Sequence, residues 1–219
     1  SRGRIPVVVG GTGFYIQALA YDVDFTEGDV DGELRRSLEQ TVREKGPEYV
    51  HQMLREADPA AADKIHANNT KRVIRAIEFY RQTGTRISEH NETERKKQSP
   101  YDLFYYVLNA DRAKLYERID RRVDQMMEQG LVGEVSALAA QGCTRDMVSM
   151  QGLGYKEILD YLVGKVSLEE AVYTLKRDTR HFAKRQLTWF RRERDVLWID
   201  KPEYGYDEER ILDNMISVL

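Results

Sequence analysis

The stretch Ile5-Pro6-Val7-Val8-Val9-Gly10-Gly11-Thr12-Gly13-Phe14-Tyr15 decides the fold. A β-branched run, a glycine-rich turn and the helix-compatible Phe14–Ala20 predict strand, tight turn and helix. Val7–Val9 is apolar at consecutive positions, as in strands covered on both faces of a parallel sheet. Such a strand needs partners on both sides. An N-terminal portion is therefore expected before Ser1-Arg2-Gly3-Arg4. The turn is not a dinucleotide fingerprint, which would need glycine where Ile16 stands, and no G-x-x-x-x-G-K-[ST] loop occurs in the chain. Its glycines serve equally well as a tight turn or as a loop that lets backbone N–H groups approach an anion.

Downstream, the acidic stretch Asp22–Asp31 marks a boundary, and residues 34 to about 97 carry no strand signal. Helices are predicted over Leu34–Lys45, Pro47–Ala57, Pro59–His66 and Asn69–Thr83. Gly46-Pro47 and Asp58-Pro59 separate them, and Gly84 closes the last. A strand follows at Leu103–Leu108. A helix from Arg112 sets Leu115, Ile119, Val123 and Met126 on one face and is expected to continue or bend past Gly130. Leu168–Phe190 is a second long helix, Val196–Ile199 a short strand, and Leu212, Met215, Ile216 and Leu219 one side of a terminal helix. The expected architecture is an α/β core (1–23 and 100–219) interrupted by an all-helical insertion domain (24–99).

The chain has 219 residues, 41% hydrophobic and 32% charged, with a net charge of −3. That composition is globular, and no apolar run nears the about 20 residues of a membrane span. A single cysteine, Cys143, excludes an internal disulfide and argues against a zinc cluster. A cytoplasmic protein is expected. Positive charge is concentrated: eight Lys/Arg lie between Lys176 and Arg194, and five between Lys71 and Arg86. On the long helix Val172, Leu175, Phe182 and Phe190 should form the buried stripe, with Trp189 in the core. Arg177, Arg180, Lys184 and Arg191 share another arc, flanked by His181 and Arg185. That ridge, about 20 Å long at 1.5 Å per residue, suits a nucleic-acid strand. Lys71 and Arg75 lie opposite Val73, Ile77 and Tyr80, with Arg72 between the faces; a solvated surface explains them as readily as a phosphate grip. Gly152-Leu153-Gly154-Tyr155-Lys156-Glu157 is either a plain loop-to-helix junction or a close backbone approach with a cation at a helix start.

In order, VGGTGFYIQAL (9–19), DPAAADKIHANNTKRVIRAIEFYRQTG (58–84), LYERIDRRVDQMMEQGLVGEV (115–135), QGLGYKEI (151–158) and RHFAKRQLTWFRR (180–192) resemble the bacterial tRNA dimethylallyltransferase family. The resemblance spans nearly the whole chain. It implies a P-loop-NTPase-like parallel-sheet core whose helical insertion embraces the tRNA anticodon stem-loop. The implied reaction moves a dimethylallyl group from dimethylallyl diphosphate to N6 of the adenine 3′ of the anticodon, with Mg²⁺ as cofactor, in a cytoplasmic monomer. Thr12, Arg35, Lys71, Arg72, Val73, Ile74, Arg75, Arg180, His181, Phe182, Ala183, Lys184 and Arg185 are then tRNA-binding. Gly10, Gly11 and Gly13 form a substrate loop, and Lys156 is catalytic beside the diphosphate. The family's phosphate loop and general-base aspartate have no match here, so metal ligands are expected outside these residues and the stretch alone is expected to be inactive. The family's I-H-P-N-D reads Ile65-His66-Ala67-Asn68-Asn69, with a polar helix cap expected to persist. A free-nucleotide relative, adenylate dimethylallyltransferase, would need neither the insert nor the basic ridge. A non-catalytic RNA-binding fragment is the other reading.

Overall fold

The computed structural model describes residues 3–23 and 32–218. The acidic stretch 24–31, Ser1, Arg2 and Leu219 lie outside the described residues. The chain divides into two compact units, residues 1–13 with 104–219, and residues 14–103, against an expected division after residue 23 and before residue 100.

The helical unit holds α1 (Gly13–Tyr21) from Phe14 onward, α2 (Glu33–Lys45), α3 (Pro47–Ala57), α4 (Pro59–Ala62), α5 (Thr70–Thr83) and α6 (Ile87–Lys96). Leu38, Val50, Leu54, Val73 and Ile77 form its core, one stripe from each of α2, α3 and α5. Helix α4 stops four residues short of expectation. His51 Nε2 lies 3.0 Å from the Ala62 carbonyl and 2.8 Å from that of Ile65. Both partners are acceptors, so Nε2 carries the proton and satisfies the carbonyls at the helix end. Helix α6 goes beyond the expected helices; its polar sequence lacks an apolar stripe and none of its residues is buried. Asn69 stands at the N-cap of α5 without a side-chain capping bond, so the expected polar cap is not formed.

The second unit carries a two-stranded parallel sheet, β1 (Tyr105–Asn109) and β2 (Val196–Asp200), in register from Tyr105 opposite Val196 to Asn109 opposite Asp200. The crossover runs through α7 (Arg112–Glu128), α8 (Leu131–Ala140), α9 (Tyr155–Leu162) and α10 (Leu168–Phe190), and α11 (Glu208–Ser217) follows β2. Mostly helical with a small parallel sheet, the chain is of the α/β class. Gly130, at φ 97°, ends α7 rather than bending it. Asp111 caps α7, accepting from Ala113 and Lys114 N–H, and a Ser167–Glu170 capping box starts α10. Val123, Val135, Met150, Ile158 and Leu175 form the core.

Val7–Val9 is not a strand: its side chains are 62–91% exposed and its backbone belongs to neither described strand. β-propensity without a ladder partner makes no strand. On α10 the buried residues are Ala171, Leu175 and Phe190; Val172 is half-buried, and Phe182 and Trp189 are 40% and 37% exposed rather than core. Tyr80 on α5 is exposed as well.

Candidate nucleic-acid interface

Helix α10 is the longest element and carries the densest positive charge, but its cations fall into two groups. In the N-terminal half each has a carboxylate: Lys176 Nζ lies 2.6 Å from Asp124, Arg177 2.9 Å from Asp178, and Arg180 Nη1 2.5 Å from Asp120. Arg180 and Lys176 thereby tie α10 to α7. In the C-terminal half Lys184 and Arg185, and just past its end Arg191 and Arg192, form no ion pair among the described residues. The expected ridge is therefore half neutralised, and its free positive potential begins at Lys184. Local unpaired charge, not the count of lysines and arginines, attracts phosphate.

The RHFAKR segment (180–185) places different chemistry on different sides of α10. His181, Lys184 and Arg185 are exposed, Ala183 is half-buried, and Arg180 is held on Asp120. Arg185 Cζ sits 5.7 Å from the centroid of the exposed Phe182 ring. A cation held near an open aromatic face is a surface on which an unpaired nucleobase stacks.

Gly11 and Gly13 owe their identity to this helix. The Gly11 carbonyl accepts from Gln186 Nε2 at 2.7 Å, and a Cβ on Gly13 would overlap the Trp189 ring. Gly10 and Thr12 are exposed, and a Cβ on Gly10 would meet open space. Two of the three glycines thus allow close packing on α10, and only Gly10 and Thr12 are left facing solvent.

Lys156 begins α9. Gly154, at φ 101°, makes the turn into that helix, and its N–H donates to buried Glu157 Oε2 at 2.9 Å. The Lys156 side chain is 34% exposed, with Nζ 3.3 Å from Glu157 Oε1 and 3.8 Å from Asp178 Oδ2. Hydrogen bonding from Arg177 holds the Asp178 carboxyl below its ordinary range, helped by the charges of Arg177, Lys156 and His181. Asp178 is thus a fixed anion that locates Lys156 across from α10.

In the helical unit Lys71 and Arg72 are exposed and Arg75 half-exposed, whereas Val73 and Ile74 are buried and can meet a ligand only through their backbone. Arg35 donates to Glu78 from Nε at 3.0 Å and Nη2 at 2.6 Å. Glu78 is buried, so this bidentate pair docks α2 on α5. Lys71 and Arg75 precede Glu78 by seven and three residues, spacings that align them along one side of α5.

Sequence reasoning passed over Arg112. It lines a cavity of about 170 Å³ with Tyr116, Lys184, Thr188, Arg191 and Asn109. A basic residue at the first helical position after a strand was the available signal. Among the described residues no three His, Cys, Asp or Glu side chains gather to hold a metal, and no helix is long and apolar enough to cross a membrane.

A family model described as IPP transferase matches residues 1–193. A tRNA dimethylallyltransferase of Lachnoclostridium phytofermentans is 57% identical over 219 residues, covering 100% of this chain and 70% of the relative. The crystal structure of the full-length tRNA isopentenylpyrophosphate transferase from Bacillus halodurans is similar at TM-score 0.58 and 46% identity, over 91% of this chain and 61% of that one. A eukaryotic dimethylallyltransferase acting on tRNA is similar at TM-score 0.70 and 30% identity, over 91% of this chain and 52% of that one. The chain thus spans about half to seven-tenths of these proteins' lengths. Matched by the family model from its first residue to the basic end of α10, the chain belongs to the IPP transferase family.

Proposed function

We propose that this chain serves prenyl transfer to tRNA. A dimethylallyl group leaves dimethylallyl diphosphate and joins N6 of the adenine 3′ of the anticodon. The carbon–oxygen bond to the diphosphate breaks, the carbon–nitrogen bond forms, and the N6 proton passes to a base. The observation that carries this reading is the unneutralised C-terminal half of α10. Lys184, Arg185, Arg191 and Arg192, with Phe182 exposed beside Arg185, suit an RNA loop rather than a free nucleotide. The matched relatives, named for tRNA, agree.

In this reading α10, the exposed Lys71 and Arg72 and the half-exposed Arg75 position the anticodon stem-loop through its phosphates, which set register and carry most of the affinity. An adenine amino group is a weak nucleophile, so placement is a large part of the catalysis. A loop base can be extruded for about a few kcal/mol. Lys156, held by Glu157 and Asp178, stabilises charge developing on the departing diphosphate. Mg²⁺ bound to that diphosphate would neutralise further charge, but Glu157 and Asp178 beside Lys156, and Asp120 and Asp124 facing α10 from α7, are engaged with cations, and no three His, Cys, Asp or Glu side chains among the described residues gather to hold the ion. The one cysteine fits a cytoplasmic enzyme, acting as a monomer. Deleting the gene and digesting cellular tRNA to nucleosides tests the proposal: N6-dimethylallyladenosine and its derivatives should vanish and return on re-expression. Unchanged levels would refute it.

A further inference from the structure

The cavity between the start of α7 and the end of α10 is lined by cations that form no ion pair among the described residues. Lys184, Leu187, Thr188 and Arg191 are spaced three, four and seven residues along α10 and share one face. Opposite them Arg112 and Tyr116 come from the first two turns of α7, and Asn109 is the carboxyl-terminal residue of β1. None of Arg112, Lys184 and Arg191 forms an ion pair or side-chain hydrogen bond among the described residues.

The nearby carboxylates are turned to other tasks. Asp111, adjacent in sequence to Arg112, accepts from the N–H groups of Ala113 and Lys114 and so caps α7. Asp200, across the sheet from Asn109, accepts from the Asn109 amide at 2.5 Å. Thr188 donates to the Lys184 carbonyl at 2.9 Å. What remains open to the cavity is two guanidinium groups, one ammonium and the Tyr116 hydroxyl, all able to donate. Three positive charges facing one small space repel each other unless an anion joins them. The site also sits in the crevice beyond the carboxyl end of a parallel strand, where open α/β sheets take their ligands.

We propose that this cavity seats one phosphate group of the RNA backbone, shared by Arg112, Lys184 and Arg191, an assignment that rests on the tRNA-binding reading above. Guanidinium forks match two phosphate oxygens each, and Lys184 supplies a point charge. A volume of about 170 Å³ is smaller than the roughly 300–1,000 Å³ of pockets that enclose a whole small ligand, so the cavity takes a group on a larger molecule. A single shared phosphate makes the contributions of the cations non-additive: once one cation is gone the phosphate loosens, and removing another loses little more.

The test measures binding of the full chain to an unmodified tRNA transcript over a range of salt concentrations, with circular dichroism confirming that each variant is folded. Arg112→Gln, Arg191→Gln and the double variant should each lower the slope of log affinity against log salt by about the same 0.7–0.9, the value of one phosphate contact. Arg112→Lys keeps the charge and should keep the slope. The KM for dimethylallyl diphosphate should be unchanged in the native protein carrying Arg112→Gln. Additive slope losses would mean separate phosphates and overturn the shared seat. A raised KM with an unchanged tRNA slope would assign the cavity to the donor diphosphate and overturn it as well. Wild-type chain with no salt-dependent tRNA affinity would refute the tRNA reading itself. Wild-type binding with unchanged slopes in both variants would refute only the seat.

Discussion

Replacing Asp58 tests how the helical unit is held together. Asp58 is 0% exposed at the junction of α3 and α4, and its carboxylate accepts three hydrogen bonds. These come from Ala61 N–H at 3.0 Å, Ser88 N–H at 2.9 Å and the Ser88 hydroxyl at 2.7 Å. It thus caps α4 and joins it to the first turn of α6. Asp58→Ala leaves two N–H groups and a hydroxyl without an acceptor. Each unsatisfied buried group costs about 1–3 kcal/mol and a lost cap about 1. Because the three share one side chain, the sum is less than additive, and about 3–5 kcal/mol is expected. Asp58→Asn keeps one oxygen but turns an NH₂ toward a donor, for about 2 kcal/mol. Burial alone would raise the Asp58 pKa, but the Ser88 and Ala61 hydrogen bonds and the Arg86 charge outweigh it and lower the value below the ordinary 3.8. A depressed carboxyl stabilises the fold fully above its unfolded value and loses that contribution as pH falls through the folded value. Urea melts of wild type and both variants should therefore differ most near neutral pH, with the Asp58→Asn gap shrinking below pH 3.8. An Asp58→Ala cost under about 1 kcal/mol, or a gap that ignores acid, would refute the reasoning.

Arg180→Ala should cost about 1 kcal/mol in a urea melt through loss of the Asp120 pair, yet leave the salt slope of tRNA binding unchanged. Lys184→Ala should do the reverse, lowering the slope by about 0.7–0.9 without destabilising the fold. Gly13→Val should displace the Trp189 ring, seen as a shift in tryptophan fluorescence and a loss of about 1–3 kcal/mol. Lys156→Ala in the native protein should reduce kcat by roughly 10²-fold with tRNA affinity kept, and Lys156→Arg should recover most of it; an unchanged kcat would make Lys156 a partner of Glu157 and Asp178 only.

The helices were legible because their signals are local: period-3.6 stripes, Gly84 at an end, and the Gly46-Pro47 and Asp58-Pro59 breaks. The early stop of α4 was not, since His51 acts from eleven and fourteen residues away. Val7–Val9 read as strand because β-branched runs report propensity, whereas a strand also needs a partner. The basic stripe of α10 was visible in sequence, but its division was hidden. Asp120 and Asp124 neutralise Arg180 and Lys176 from a helix some fifty to sixty residues upstream. For the same reason nothing in the sequence around Arg35, which the resemblance marks as tRNA-binding, shows that Glu78 on another helix takes its guanidinium. Charge type is written in the sequence; charge pairing is a property of the fold.

The most direct test of the account is transfer of labelled dimethylallyl diphosphate by the native protein, offered unmodified tRNA and, separately, adenosine monophosphate. Label should enter the tRNA on the adenine 3′ of the anticodon and leave the free nucleotide unlabelled. Label on adenosine monophosphate, with none on tRNA, would contradict it.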